Sequence, residues 1–107
     1  MITIDDFKKL DIRIGKVISA ERIPGSDKLI KFIFDIGGEE RQIIGGLAIA
    51  FPEPAVLVGK QMPLILNLEP RSLMGFESQG MILAADKDGK PVPLFPADEV
   101  PSGSAVK

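Results

Sequence analysis

The sequence contains no cysteine, histidine, tryptophan or tyrosine. Without Cys and His there is no disulfide, no thiolate nucleophile, no Cys/His zinc site and no Ser-His-Asp relay. What remains for catalysis is carboxylate, lysine or serine chemistry, and no paired arrangement of these residues stands apart from ordinary surface charge. The chain is therefore read as a binding protein and not an enzyme, with neither cofactor nor metal. Long apolar runs are also missing: nothing approaches the ~18 residues of a membrane-spanning helix. The start, Met1-Ile2-Thr3-Ile4-Asp5-Asp6, lacks the basic-then-apolar pattern of a signal peptide. A cytoplasmic protein with no membrane partner is the expectation.

Against these absences stands enough apolar material for a core. A chain of 107 residues with 45% hydrophobic content fits one compact domain covering 1–107. Its net charge of −2 argues against a nucleic-acid partner when taken globally. The distribution says otherwise. Lys8, Lys9, Arg13, Lys16, Arg22, Lys28 and Lys31 face only Asp11, Glu21 and Asp27 in the same stretch, while acid collects at Glu39-Glu40 and Asp98-Glu99.

Taken in order, the chain predicts strands. Thr3 can cap a short helix over Ile4 to Lys9, with Asp6 completing a capping box; Ile4 and Phe7 share a face that would plug one end of a core. Asp11 to Ile23 reads as a long strand whose apolar phase slips at Gly15-Lys16, the mark of a β-bulge. Ile30, Phe32, Phe34 and Ile36 alternate as the core face of a second strand, Gly37-Gly38 forms a hairpin turn, and Arg41 to Ile44 returns as a third. Prolines 52 and 54 ahead of Ala55–Val58 and Gly59 suggest one helical turn. A fourth strand over Lys60 to Leu68 follows, in which Pro63 must turn its missing N–H to an edge or bulge. Met81 to Ala85 is the fifth, with a short extra strand at Val92 to Phe95 after a turn at Asp86-Lys87-Asp88-Gly89. The predicted fold class is all-β, a five-stranded OB-fold barrel with a short N-terminal helix, a helical turn before strand 4 and a C-terminal extension with short extra strands.

Between strands 4 and 5 lies the most distinctive stretch, Asn67 to Ala85, reading NLEPRSLMGFESQGMILAA. Two apolar runs bracket a polar segment with a proline, two glycines, an arginine and two serines, which suits a recognition loop better than a packing one. Together with Phe7-Lys8-Lys9-Leu10-Asp11-Ile12-Arg13-Ile14-Gly15, Asp27-Lys28-Leu29 and Val100-Pro101-Ser102-Gly103, it resembles in order and spacing the tRNA-binding OB domain family. That family includes the C-terminal domain or separate β subunit of methionyl-tRNA synthetase, free-standing structure-specific tRNA-binding proteins and a branch of secretion-associated chaperones. The likeness spans essentially the whole chain and is nearest the free-standing or β-subunit form.

The resemblance implies an auxiliary protein that recognises tRNA by shape and backbone, forms a homodimer, and has an aminoacyl-tRNA synthetase catalytic subunit as a possible partner. Pairing two copies would double the phosphate contacts of a chain with little basic surface. Positions matching the family's RNA contacts are Lys28, Lys31, Arg41, Lys60, Asn67, Ser78 and Met81, to which Arg71 is added as the only basic side chain between Asn67 and Ala85. Affinity is expected to rest on Lys28, Lys31 and Arg41, with shape reading by Asn67, Arg71 and Ser78. Bracing of loop backbone is the competing role for Asn67, and core packing the favoured one for Met81.

Two positions depart from the family pattern: Ser72 where many members carry lysine, and Gly45 where a serine often precedes the glycine after strand 3. Only Phe51 and Phe76 are left as exposed stacking platforms, so recognition by stacked single strands, or of oligosaccharide, is disfavoured. The alternative function is the dimeric peptide-binding chaperone of the same fold, whose branch diverges at the Gly80-Met81 part of the motif. A module that joins synthetase subunits is a third reading.

Overall fold

The computed structural model describes residues 1–107. It contains a short helix α1 (Ile4–Phe7), a 3-10 turn (Pro54–Leu57) and nine strands. The strands are β1 (Ile12–Arg22), β2 (Ile30–Asp35), β3 (Glu40–Gly45), β4 (Gln61–Ile65), β5 (Arg71–Leu73), β6 (Phe76–Ser78), β7 (Met81–Ile82), β8 (Ala84–Lys87) and β9 (Lys90–Pro93). Five of them form one antiparallel sheet in the order β3-β2-β1-β4-β7. The sheet curls until its edges nearly meet: a Cβ on Gly45 of β3 would lie 2.9 Å from Ile82 Cδ1 of β7. The result is the nearly closed five-stranded barrel expected from the sequence. No helix is long and apolar enough to cross a membrane.

Period-2 alternation turns one face of β2 into the core. Ile30, Phe32, Phe34 and Ile36 are all buried, and the Phe32 and Phe34 rings stack with centroids 5.4 Å apart. Val17, Ile43, Leu57, Met62, Leu64 and Leu66 close the core around them. Gly37 and Gly38, at φ 83° and 92°, make the β2–β3 turn, a pair of positive values that suits a two-residue hairpin.

The bulge in β1 lies further along than the sequence suggests. Pairing with β4 is regular from Ile12 to Lys16, and the register against β2 shifts between Val17 and Ser19, leaving Ile18 as the extra residue. The phase slip at Gly15 has another cause. Gly15 faces the core, where a Cβ would come within 2.5 Å of Leu64 Cδ1 and 3.2 Å of Phe34 Cδ1. Ile12 and Ile14 are buried on the opposite face. There the chain's tail runs back along β1: Gly103 N–H donates to Ile14 O at 2.7 Å, Ile14 N–H to Ser104 O at 2.9 Å, and Val106 N–H to Ile12 O at 2.9 Å. The tail takes the edge of β1 that β2 leaves open beyond Lys16.

β4 is shorter than expected and buried on both faces. Pro63 accepts from Leu83 N–H at 3.0 Å. Its missing N–H therefore points to the side where β7 stops at Ile82, the interruption that proline demands. The stretch from Met81 to Ala85 is not one strand: β7 ends after two residues, and the chain leaves the barrel at Leu83 to form the separate β8–β9 hairpin. The extra strand lies at Lys90–Pro93 rather than Val92 to Phe95.

At the N-terminus, the Thr3–Asp6 capping box is present in both directions. The Thr3 backbone N–H, followed by Lys9 and the Thr3 hydroxyl, holds the Asp6 carboxyl below its ordinary pKa. The helix does not plug the core: Ile4 is 66% exposed and no helical residue is buried. One turn of helix is too short to present a face and stay docked.

Candidate nucleic-acid interface

The distinctive stretch folds as a hairpin and not as a loop. β5 and β6 pair Arg71 with Ser78, Ser72 with Glu77 and Leu73 with Phe76. Met74 and Gly75, at φ 51° and 82°, form the two-residue turn. Its tip leans on the β1–β2 connection, where Met74 Cε lies 3.5 Å from the Cβ position of Gly25.

The hairpin is fastened to β3 at its root. Ser78 is 1% exposed; its Oγ accepts from Ile44 N–H at 3.0 Å and donates to Gly80 O at 3.1 Å. Gln79 N–H donates to Gln42 O at 2.8 Å, and Gln42 Nε2 to Glu77 O at 3.0 Å. Gly80, at φ 146°, passes so close to β4 that a Cβ would stand 2.7 Å from Ile65 O. A serine hydroxyl is the only group that answers Ile44 N–H here, so Ser78→Ala is expected to lower the unfolding free energy by about 1–3 kcal/mol, the cost of a buried donor without a partner. Urea unfolding measures this, and an unchanged midpoint would show that the hydroxyl is dispensable.

Ser78 thus acts from inside the interface, with no surface to offer a ligand. Asn67 likewise takes the bracing role: its Oδ1 accepts from Asp11 N–H at 2.8 Å and its Nδ2 donates to Lys9 O at 2.7 Å. Arg41 is half-buried at the end of the barrel, where one Nη donates to Leu66 O at 2.6 Å and Gln79 O at 3.4 Å, with Glu39 at 4.0 Å. The shallow depression around Arg41 also holds Glu39 and Glu77, two carboxylates to one guanidinium. That is a poor site for phosphate.

The basic surplus in the first third of the chain is mostly consumed. Lys9 pairs with Asp6, Arg13 with Asp11, Lys16 with Glu99 and Lys31 with Glu21, and Arg22 reaches the Asp27 carbonyl. Of the seven, Lys8 and Lys28 have neither a carboxylate nor a carbonyl partner. Lys31 keeps its ammonium 5.1 Å from the Phe76 centroid, which ties β2 to the hairpin. Lys28 stands three residues upstream, its carbonyl accepting from Ala48 N–H at 3.0 Å. Arg71 is exposed on β5 without an ion-pair partner, as is Ser72 beside it. Lys31 thus meets the hairpin through Phe76, Lys28 lies just ahead of β2, and Arg71 is an exposed cation on β5 of the hairpin itself.

Lys60 lies apart from them, ahead of β4, with its ammonium 5.6 Å from the Phe95 ring. Met81 is partly exposed on β7 opposite Ile65, where core packing was favoured. The aromatic assignment changes: Phe51 packs against the core, Phe76 is half-buried beneath Lys31, and Phe95, at 48% exposure, is the open ring. Gly45 has a local reason, since Ile82 and Phe32 occupy the place of its side chain. Gln42 and Gln79 were missed; their signal is slight, an amide at each end of a future hairpin contact. Gln61 was missed as well: its side chain clamps the Val100 backbone at 2.6 and 3.1 Å, which anchors the tail.

Comparison with known proteins places the chain as a whole. The family model described as "Putative tRNA binding domain" matches residues 12–105. A methionine–tRNA ligase of Archaeoglobus fulgidus is 54% identical over 105 residues, which cover 98% of this chain and 16% of that protein; one from Thermotoga maritima is 50% identical, again over 98% and 16%. The chain thus spans about one-sixth of the length of these curated relatives. Among solved structures, the MetRS related protein from Pyrococcus horikoshii superposes with a TM-score of 0.93 at 40% identity, covering 100% of this chain and 98% of that one. The chaperone CsaA from Bacillus anthracis follows at a TM-score of 0.90 and 30% identity, covering 100% and 99%. With the family model covering most of its length and a relative of matching size at 40% identity, the chain belongs to the tRNA-binding domain family.

Proposed function

We propose that this protein is a non-catalytic tRNA-binding module that recognises the shape and backbone of tRNA and acts as an accessory or β subunit of an aminoacyl-tRNA synthetase, methionyl by its relatives. The observation that carries the reading is a hairpin anchored from within by Ser78 and joined to β2 by Lys31 over Phe76, with exposed Arg71 on its first strand and exposed Lys28 just ahead of β2. On a molecule of net charge −2, Lys28 and Arg71, which have no ion-pair partner, offer phosphates a local positive field. The scarcity of open aromatic rings favours backbone contacts over stacked bases.

The same reading takes the protein to be a cytoplasmic homodimer. Leu10, Met81, Val92, Leu94, Phe95 and Val106 leave large apolar side chains exposed outside the barrel core, and a second copy would cover such a surface. The likeness to a chaperone keeps peptide binding as the competing reading.

Titration with mixed tRNA, single-stranded RNA and an unfolded peptide at several salt concentrations separates them. The expected result is preference for tRNA, with a log–log salt slope of several units. Tight peptide binding without tRNA affinity would sink the proposal in favour of the chaperone reading.

A further inference from the structure

Lys28 has a neighbour that the family motif does not include. It lines one wall of a pocket of about 310 Å³ formed where the tip of the β8–β9 hairpin approaches the turn after β3; the other walls are Gly46, Ile49, Ala50, Gly89, Lys90 and Pro91. This volume lies at the small end of the range for ligand sites. Two cations and no carboxylate line it, whereas the depressions at Lys60 and Arg41 include Glu99 and Glu39 with Glu77 respectively. Neither Lys28 nor Lys90 forms an ion pair.

The β8–β9 turn sets where the second of these cations stands. Lys87 and Lys90 stand directly opposite one another across the β8–β9 turn. Like charges facing each other on adjacent strands destabilise a hairpin. The hairpin offsets part of this locally, since Asp86 accepts from Gly89 N–H at 2.7 Å to hold the turn. Asp86 and Asp88 balance the lysine pair in net charge within the turn, so the local excess of cation lies at the pocket, where Lys28 joins Lys90 and no carboxylate lines the wall.

We propose that this pocket receives a single nucleotide of the bound tRNA, its phosphate shared by Lys28 and Lys90 and its base or ribose laid against Ile49 and Pro91. Apolar aliphatic walls beside paired cations match a nucleotide, which has a flat, weakly polar face next to a charged one. An acidic or phosphorylated peptide would satisfy the lysines but would leave Ile49 and Pro91 without a matching surface unless its sequence supplied one. The inference rests on the tRNA reading and extends it from the β2–hairpin edge to the β8–β9 hairpin.

The test uses the full chain and mixed tRNA, with two variants that attack the pocket differently. Lys90→Ala removes a cation. Gly46→Leu fills the space without changing charge; the backbone there needs no glycine, and a Cβ meets nothing within 4 Å. Lys90→Ala should weaken tRNA binding about tenfold at 0.1 M salt and lower the salt slope by about one. Gly46→Leu should weaken binding with the slope unchanged, and both should melt like the wild type. Ultraviolet crosslinking of the wild type to mixed tRNA should place adducts on peptides containing residues 46–50 or 90–91. If the wild type binds tRNA and both variants bind equally well, the pocket is overturned while the tRNA reading stands; if the wild type does not bind tRNA, both fall. A phosphoserine peptide that binds in a Lys90-dependent manner while tRNA binding ignores Lys90 would assign the pocket to a protein ligand and overturn the proposal.

Discussion

Phe34→Ala should lower the unfolding free energy by about 3–5 kcal/mol, the range for truncating a buried aromatic residue. The environment argues for the upper part of that range. Phe34 has 0% exposure, stacks on Phe32 and lies opposite Val17 in the β1–β2 register. It also covers Gly15, which has no side chain that could move into the vacated volume. Because Phe34 points into the barrel interior, the void would sit between strands already fixed by ladder hydrogen bonds, and collapse around it would be small. In a chain of this size the loss corresponds to a fall in Tm of more than about 12 °C. Urea unfolding with an unchanged m-value is the measurement. A loss below about 1 kcal/mol would show that the core relaxes around the gap.

The parts of the fold that could be read from the sequence are those where one local rule acts alone. β2 alternates because one face meets the core and the other does not, so Ile30, Phe32, Phe34 and Ile36 declare themselves. The Gly37-Gly38 turn, the Thr3–Asp6 capping box and the 3-10 turn after Pro54 are equally local. A local rule fails where a distant segment changes the surroundings. Ile12 and Ile14 are buried on the face opposite Gly15, in the part of β1 whose edge is paired with the tail, some ninety residues away in the chain. No window around Gly15 contains that information, and a bulge was the nearest local explanation. Similarly, Met81–Ala85 is uniformly apolar, and nothing in it marks the point where β7 yields to β8.

The candidate site shows the same division. Residue type identified the polar positions but not their employment. Ser78 and Asn67 are spent on backbone groups of Ile44, Asp11 and Lys9, contacts that join segments more than thirty residues apart. Lysine runs read as a patch until the carboxylates that fold against them are located, which leaves Lys28 in a different position from Lys9, Arg13 or Lys16. Lys90 carried no motif at all, and only the folding back of the β8–β9 hairpin brings it to the pocket that Lys28 lines.

Replacing both Lys28 and Lys31 by alanine should weaken tRNA binding about 50- to 100-fold at 0.1 M salt and lower the log–log salt slope by about two. This follows if each lysine neutralises one phosphate, because the observed constant then varies as roughly the 0.9 power of inverse salt for each contact, about a factor of eight apiece at 0.1 M. The two contributions are unequal in origin. Lys28 has no competing carboxylate, so its ammonium is free to meet phosphate. Lys31 must leave Glu21, at 4.0 Å, while keeping or exchanging its place over Phe76. Since that pair is exposed on the glutamate side and its bond is long, the exchange costs little, yet it makes Lys28→Ala the larger of the two single effects. Neither side chain enters the core, so the double variant should unfold at the same urea midpoint to within about 0.5 kcal/mol. Affinity and slope that both stay at wild-type values would show that this edge is a solvated face; a fall in affinity with no change in slope would mean that the lysines act on something other than phosphate charge.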